Sequence, residues 1–293
     1  MKKRITNLGK YCSFKLFDQY LYLDQIKVVL QKDFLYPPVS EKIKFHFEKY
    51  NQEKQSLGMS PDYDGILAAP ISIVSNPFNL EITVIPFSYC IHALRQCNDK
   101  MSRENSWKFI NDNKQNLIAH KEVQRNFWPF VLGVECLPIT TDNHLLLCKR
   151  SMNSLTSKGA LSNACAGYYE FNGFQNEIPD IISILMNELK EELNFEKSDF
   201  DEFRPLGYII SNDTFTTDII VLGKLCISST DLEIYISDNS EFFENDLHQF
   251  VVPIDVLKTP FEQLSLLINE NDLRVTHTLL FALQWLKVIQ NEI

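Results

Sequence analysis

Three glutamates stand close together in one short segment, and their spacing suits the binding of a divalent cation. Glu188, Glu191 and Glu192 occupy positions i, i+3 and i+4, so a helix places them in a single patch. Carboxylates in such a patch repel one another, and hard cations that prefer oxygen ligands relieve the repulsion. Glutamate-rich turns also occur on the solvated faces of many helices. The surroundings of the segment therefore have to decide between a metal site and an ordinary surface.

The segment around these glutamates has the pattern of an amphipathic helix. Pro179 suits the first helical position, and the negative charge of Asp180 complements the positive end of the helix dipole. The apolar residues that follow share one broad face: Ile181, Ile182, Leu185, Met186, Leu189 and Leu193. The glutamates lie at the edge of that face. Packing of the helix is therefore expected to set them beside the surface that it covers.

Apolar runs before and after this helix predict the strands of a sheet. Residues 130–139 and 145–148 flank the turn Thr140-Thr141-Asp142-Asn143, which predicts a hairpin buried on both faces. The later elements are expected to be strands at 206–210, 218–227 and 250–252, a helical turn from Pro260, and a final amphipathic helix from Asn271 or Asp272 through Ile289. Strands and helices in this order predict an α/β fold.

The first part of the chain predicts a smaller unit of mixed structure. Its expected elements are two or three short strands within 11–36, a helix capped by Ser40, a hairpin of strands at 66–74 and 80–87, and a helix at 103–123. The character of the chain changes near residues 120–130. We therefore expect an α+β accessory domain over residues 1–125 and a second domain over residues 126–293.

Composition narrows the classes of partner. The net charge of −10 and the sequence pI near 5.1 argue against non-specific nucleic-acid binding, which needs clustered Lys and Arg. The seven cysteines are odd in number and scattered, which is typical of a reducing compartment. The charged start Met1–Arg4 is not followed by the apolar run of a signal peptide, and no run reaches about 18 apolar residues. We expect a cytoplasmic protein that does not span a membrane.

The segment 187–195 resembles the second half of the Nudix hydrolase signature. That half reads Arg-Glu-aliphatic-any-Glu-Glu-any-Gly-aliphatic, and the chain has Asn-Glu-Leu-Lys-Glu-Glu-Leu-Asn-Phe. The three acids and both apolar positions match. Asn187 replaces the Arg and Asn194 replaces the Gly. Asparagine tolerates the left-handed conformation that such a helix end needs, so we expect Asn194 to adopt it.

The first half of the signature is less regular. Gly173 has the formal spacing, but Pro179 then stands where the family has a Glu. Ala166-Gly167-Tyr168-Tyr169-Glu170 resembles the glycine-rich start of the family's loop more closely, so Gly167 is taken as the counterpart. The stretch 145–151, which ends in Arg150-Ser151, resembles the strand that ends in Arg-Ser in the family.

Most of the chain is similar to a subgroup of this superfamily, the UDP-glucose-directed Nudix hydrolases, which carry an extra amino-terminal domain. The similarity rests on Pro61–Leu67, on the strand pair that ends in Phe87-Ser88-Tyr89, and on Leu132-Gly133-Val134 leading into Thr140-Thr141-Asp142. It implies a Nudix α/β/α sandwich with a mixed sheet, preceded by the smaller α+β domain.

The resemblance implies metal-dependent hydrolysis of a nucleoside diphosphate linked to another group, such as a UDP-sugar. Mg²⁺ or Mn²⁺ would be held by Glu188 and Glu192, with help from the Gly167 carbonyl. Glu191 would be a further ligand or would orient the attacking water. The alternative is a Nudix-fold protein that binds a nucleotide or regulates a partner without turnover, since the Arg and the first Glu of the signature are missing.

Further residues are expected to assist. Glu244, or Glu241, would supply a late-loop carboxylate, although both belong to an acidic stretch typical of a surface loop. Arg150 would pair with a phosphate, unless it is an ordinary strand-end arginine. Tyr89 would stack on a base where the two domains meet, unless it belongs to the core.

Overall fold

The computed structural model describes residues 12–16, 21–31, 38–56, 58, 60–62, 64–75, 79–97, 99–118, 130–150, 159–171, 179–211, 214–239, 248–253 and 275–290. Glu241, Glu244, Gly173 and the stretch from Pro260 to Asp272 lie outside these ranges, as does the expected domain boundary at residue 125. The predictions that concern them stay predictions.

Eight of the described strands form one mixed sheet. Six run in the order β1 (Cys12–Leu16), β9 (Phe200–Ser211), β10 (Thr216–Leu225), β5 (Val131–Ile139), β6 (His144–Lys149) and β11 (His248–Pro253). Strands β10 and β5 are parallel, and the other neighbours are antiparallel. The α/β class predicted from the sequence is confirmed.

The predicted hairpin of β5 and β6 forms only at its turn. Ile139 pairs with Leu145, and beyond this pair the two strands diverge. Strand β7 (Leu161–Asn163) pairs with β6, and β8 (Cys165–Tyr168) pairs with β5. The predicted hairpin is therefore confirmed at its turn, and the chain that follows β6 returns to occupy the gap between the diverging strands. Every residue of β5 is buried, as its largely apolar pattern indicates.

Helices cover both faces of the large sheet. Helix α4 (Ile181–Leu193) shares a core cluster with Leu132, Val134 and Ile219 on one face. Helix α5 (Ser229–Asp238) reaches the same cluster through Leu232. Helix α6 (His277–Gln290) packs on the opposite face, against a second cluster. The sheet therefore lies between helical layers.

A second sheet of three described strands lies in the order β2 (Ile26–Leu30), β4 (Leu80–Ser88) and β3 (Ile66–Ser75). The hairpin of β3 and β4 confirms the prediction for this region. Alternate residues of β4 face two cores, as strand geometry requires. Ile82 and Val84 join the cluster around α4, whereas Ile85 and Phe87 pack on three helices: α1 (Glu41–Ser56), α2 (Tyr89–Gln96) and α3 (Lys100–Ile118).

The two sheets are connected by backbone hydrogen bonds. The Ala68 N–H donates to the Tyr169 carbonyl at 2.8 Å, and the Phe171 N–H donates to the Ile66 carbonyl at 2.9 Å. Strand β3 therefore holds the segment that leaves β8. In addition β1, from the first part of the chain, pairs with β9 of the large sheet. Segments from the first 125 residues thus contribute to both sheets. Among the described residues, no helix is long and apolar enough to cross a membrane.

Candidate functional site

Helix α4 begins and ends where local sequence signals place it. The Asp180 carboxylate accepts the Ser183 N–H at 2.7 Å, so Asp180 is the N-cap and Pro179 precedes the helix rather than starting it. Asn194 adopts the left-handed conformation with φ of 54°, and its N–H reaches the carbonyls of the last turn. The prediction for Asn194 is confirmed. The end of the helix, and with it Glu192, is fixed in position.

Two of the three glutamates lie against strand β8, and the third faces solvent. One oxygen of Glu192 accepts the Ala166 N–H at 3.1 Å, and the same carboxylate contacts the thiol of Cys165. Both Glu188 and Glu192 are half-buried, whereas Glu191 is exposed. We call Glu188 and Glu192 the helix pair. The structure brings them together and leaves Glu191 at the rim.

Gly167 makes room for Glu188. A Cβ atom placed on Gly167 would lie 1.9 Å from the carboxyl carbon of Glu188, a separation that no real side chain tolerates. A glycine is therefore required at this position for the carboxylate to lie where it does. Gly173 lies outside the described residues, so the preference for Gly167 as the counterpart of the signature glycine stays a prediction.

The donors around Gly167 fit a hard divalent cation. Carboxylate and backbone carbonyl oxygens are the ligands that Mg²⁺ and Mn²⁺ prefer. Within the described ranges, no three Asp, Glu, His or Cys side chains are grouped closely enough to hold a metal by themselves. Mg²⁺ in phosphate-handling sites is commonly held by one or two carboxylates and completed by water and substrate oxygens. The helix pair matches that mode rather than a closed protein cage.

A polar pocket of about 190 Å³ opens beside Gly167. Its described lining comes from several strands, from the turn between β9 and β10, and from the start of α6: Glu135, Arg150, Ser162, Ala166, Gly167, Tyr168, Ser211, Thr214, Thr216, Asp218, Thr276, His277 and Thr278. Gly167 therefore belongs both to this pocket and to the contact with Glu188. Arg150, predicted to bind substrate, lies in the same pocket.

Two buried carboxylates form the charged part of the pocket. Asn163 donates to Glu135, and Thr216 donates to Asp218. Burial raises the pKa of Glu135, and burial together with the neighbouring Glu135 charge raises the pKa of Asp218 well above its usual range. We call Glu135 and Asp218 the strand pair. Mutual repulsion in a buried site favours retention of a proton on this pair.

A second glycine, Gly133, leaves space for the side chain of Asp218. A Cβ atom on Gly133 would lie 2.2 Å from an Asp218 oxygen and 3.3 Å from the Gly167 carbonyl oxygen. Gly133 pairs with Tyr168 in the sheet, and Gly167 pairs with the next residue of β5. Because side chains alternate along a strand, the helix pair and the strand pair lie on opposite faces of β5 and β8.

Arg150 is the cation of this pocket. Its positive charge lowers the pKa values of both Glu135 and Asp218, against the effect of burial. Its Nε atom is buried, and no acceptor for it is present among the described residues. A guanidinium has five N–H donors, so an arginine with spare donors at a pocket suits recognition of phosphate or carboxylate oxygens.

Tyr89 lies one layer behind the pocket. Its ring meets the pocket residue Tyr168 edge to face, with centroids 6.4 Å apart, and its hydroxyl hydrogen bonds to Asp62. The hairpin that ends at Tyr89 therefore contacts β8 through Tyr168. Tyr89 itself is not among the described residues that line the pocket. Any effect of Tyr89 on a ligand passes through Tyr168.

The strand pair and Tyr168 were not singled out from the sequence. Glu135 stands inside the apolar run Val134-Glu135-Cys136, and Asp218 directly precedes Ile219 and Ile220. An acidic residue within a buried strand is rare unless it is paired, so these positions carried a usable signal. Their pairing depends on the parallel contact of β10 with β5, which local patterns do not reveal.

Comparisons with known proteins add little. No family model and no curated protein matches the chain. Solved structures that match include the crystal structure of DR0079 from Deinococcus radiodurans, which is 14% identical and covers 53% of this chain and 84% of that chain. The TM-score is 0.32, which is too low to support an inference about this chain.

Proposed function

We propose that this chain hydrolyses a nucleoside diphosphate linked to another group, with a divalent cation at the helix pair. The observation that carries this proposal is the position of Gly167. The residue touches Glu188 on one side and lines the Arg150 pocket on the other. A diphosphate compound needs both features at once, a cation site for its phosphates and a polar recess for an attached group.

Each residue of the proposed site has its own role. Glu188, Glu192 and the Gly167 carbonyl would hold Mg²⁺ or Mn²⁺. When bound, the cation would neutralise diphosphate oxygens and activate a water. Arg150 binds a phosphate oxygen beside the same glycine. Glu191, exposed on the same turn, orients water at the rim. The role proposed for Glu244 stays a prediction, because that residue lies outside the described ranges.

The test is a screen of nucleoside diphosphate sugars and related diphosphates with Mg²⁺, Mn²⁺ or chelator. Separation of products by chromatography should show a nucleoside monophosphate and a phosphorylated partner in equal amounts. The resemblance to UDP-glucose-directed enzymes makes UDP-sugars the first compounds to try. Equal release with the metal and with the chelator would contradict the proposal.

A second candidate is a protein of the same architecture that binds a nucleotide without turnover. The observation that favours it is the exposed position of Glu191, together with Asn187 and Pro179 at places where the Nudix signature has Arg and Glu. Such a protein would bind the diphosphate compound and release it unchanged. Glu192→Gln would then leave the binding constant almost unaltered, which separates the two candidates.

A further inference from the structure

A buried arginine in helix α2 lies behind the wall of the pocket. Arg95 is 2% exposed, and its guanidinium lies 5.1 Å from the ring centre of Phe87 and 4.9 Å from that of Phe215. Its Nη2 atom lies 2.9 Å from Nδ1 of His92. Because a guanidinium has donors and no acceptor, Nδ1 of His92 has to accept this hydrogen bond.

This contact determines the tautomer of His92. The imidazole is 1% exposed, and burial together with the neighbouring Arg95 charge lowers its pKa well below the usual range, so the ring is neutral. A neutral imidazole has one N–H, and Nδ1 is already the acceptor, so the hydrogen is on Nε2. Nε2 lies 3.1 Å from the hydroxyl of Tyr168. His92 therefore donates to the oxygen of Tyr168.

A second donor reaches the same oxygen. Nε2 of Gln96 lies 2.5 Å from the Thr214 carbonyl, which fixes this atom as the amide nitrogen rather than the oxygen. Burial raises the pKa of Tyr168, and the Gln96 side chain, which lies near the Tyr168 hydroxyl, acts in the opposite direction, as a donor to the phenol oxygen does. The Gln96 and His92 nitrogens lie 3.1 Å apart. Both are donors, and both lie beside the same phenol oxygen. The hydroxyl hydrogen of Tyr168 has to point elsewhere.

We propose that Arg95, His92 and Gln96 fix the Tyr168 hydroxyl as a hydrogen-bond donor into the pocket, where it recognises an oxygen acceptor of the ligand. Tyr168 lines the pocket together with Arg150, so such an oxygen meets two donors. Arg95 and His92 are positioning residues, because they act through Tyr168. Recognition of the ligand rests on the proposed function, whereas the orientation of the hydroxyl does not.

The orientation is tested first, without any ligand. Long-range ¹H–¹⁵N spectra of histidine-labelled protein report which ring nitrogen of each histidine carries hydrogen, and the His92→Gln variant assigns the His92 signals. We expect His92 to show a protonated Nε2 and a bare Nδ1 throughout pH 5 to 8. A hydrogen on Nδ1, alone or in a charged ring, would overturn the proposal.

Recognition is tested by calorimetric binding of the four common nucleoside 5′-monophosphates and of inorganic diphosphate, each with Mg²⁺. Tyr168→Phe removes the hydroxyl and keeps the ring. We expect the tightest probe to lose about three- to tenfold in affinity, as for one neutral hydrogen bond. His92→Gln should reproduce part of the loss, and Tyr89→Phe is the matched control, for which the affinity should stay within about twofold.

The probes distinguish two sources of the oxygen. Loss confined to a monophosphate with its base places the acceptor on the nucleoside half, and loss for inorganic diphosphate places it on the phosphate. Unchanged affinity of Tyr168→Phe for every probe would overturn the recognition. If the unsubstituted protein binds none of the probes, both the recognition and the proposed function fail, while the His92 tautomer still decides the orientation.

Discussion

The helix pair and the strand pair show two ways of placing two carboxylates close together. Glu188 and Glu192 are half-buried at the end of a helix, with Gly167 beneath them. Glu135 and Asp218 are buried on adjacent strands, with Gly133 beneath Asp218. Each pair depends on a glycine that leaves space for a carboxylate, Gly167 in β8 or Gly133 in β5. They differ in access to water and in the groups around them.

That difference assigns different chemistry to similar residues. The two half-buried carboxylates at the helix end repel each other, and a hard cation relieves that repulsion. Buried carboxylates instead keep a proton, and Arg150 and the hydroxyl of Thr216 supply the remaining compensation. The helix pair is thus suited to a metal and the strand pair to hydrogen bonds with a ligand. Four experiments test this division, beginning with the largest expected effect.

Glu192→Gln should reduce turnover of the best diphosphate substrate by at least about a hundredfold, because a neutral amide is a poor ligand for a hard cation. The fold should be retained, since glutamine keeps an oxygen to accept the Ala166 N–H. Steady-state rates across a Mg²⁺ titration measure the effect. Glu191→Gln, on the exposed side of the same turn, is the matched control and should lose far less. Equal losses would remove the distinction drawn between the two positions.

Gly167→Ala and Gly133→Ala should disturb the two pairs separately. The first displaces Glu188 and is expected to weaken Mg²⁺-dependent turnover about 10- to 100-fold. The second displaces Asp218 and should weaken nucleotide binding about three- to tenfold, with the Mg²⁺ dependence retained.

Gly223→Ala is the control for these two variants, because its Cβ would meet the ring of Phe200 at 2.9 Å, away from the described pocket lining. Each of the three substitutions is expected to cost about 1–3 kcal/mol of stability from crowding, measured by urea unfolding. If Gly133→Ala altered the Mg²⁺ dependence as strongly as Gly167→Ala, the two pairs would be one site.

The strand pair should make the protein less stable as the pH rises. The folded pKa of Asp218 lies above its ordinary value of 3.8, so the folded state binds more protons than the unfolded state above that pH. Asp218→Asn removes this contribution. The stability of the unsubstituted protein relative to Asp218→Asn should therefore fall as the pH is raised from about 4 to 8.

Asp142→Asn is the control of opposite sign. The hydroxyls of Ser229 and Thr140 hydrogen bond to the Asp142 carboxylate and hold its pKa below the ordinary 3.8. The stability that Asp142 contributes is therefore present above pH 4 and is lost as the pH falls further. Over a wider series from about pH 2 to 8, the stability difference from the unsubstituted protein should change above about pH 4 for Asp218→Asn and below about pH 4 for Asp142→Asn, with opposite signs. Parallel curves for Asp218→Asn would show that the strand pair titrates normally.

The smallest effect is expected at Tyr89. Tyr89→Phe removes the hydrogen bond to Asp62 and keeps the ring against Tyr168, so stability should fall by about 1 kcal/mol. Turnover and nucleotide affinity should stay within about twofold, because Tyr89 is outside the described lining of the pocket. A large loss of affinity would restore Tyr89 as a direct ligand contact.

Local sequence patterns predict the helices and strands, whereas contacts between distant residues determine which side chains form the site. The helix that carries Glu192, its left-handed end at Asn194 and the strands β3 and β4 follow from short patterns of apolar residues and turn formers. The gap between β5 and β6 follows from no such pattern, because it depends on how the next two strands, β7 and β8, pair with β6 and β5.

The same division separates the candidate residues. Gly167 and Arg150 were placed by resemblance, and the structure brings both to one pocket. Asp218 can be recognised as a site residue only from the register of β10 on β5, in which it pairs with Gly133. His92 and Tyr168 lie 76 positions apart, so their contact exists only in the folded chain. Residues that act in pairs across strands are therefore the ones that sequence patterns miss.

The hydrogen bonds from β3 to the segment after β8 also bear on how the protein can be divided. Sheet edges with unsatisfied N–H and C=O groups are templates for aggregation. A fragment that lacks the first 125 residues loses β1, which covers the edge of β9, and β3, which covers the backbone of Tyr169 and Phe171. Such a fragment has two newly exposed edges. We expect it to self-associate, so the accessory segments act as a shield against strand addition by other copies of the chain.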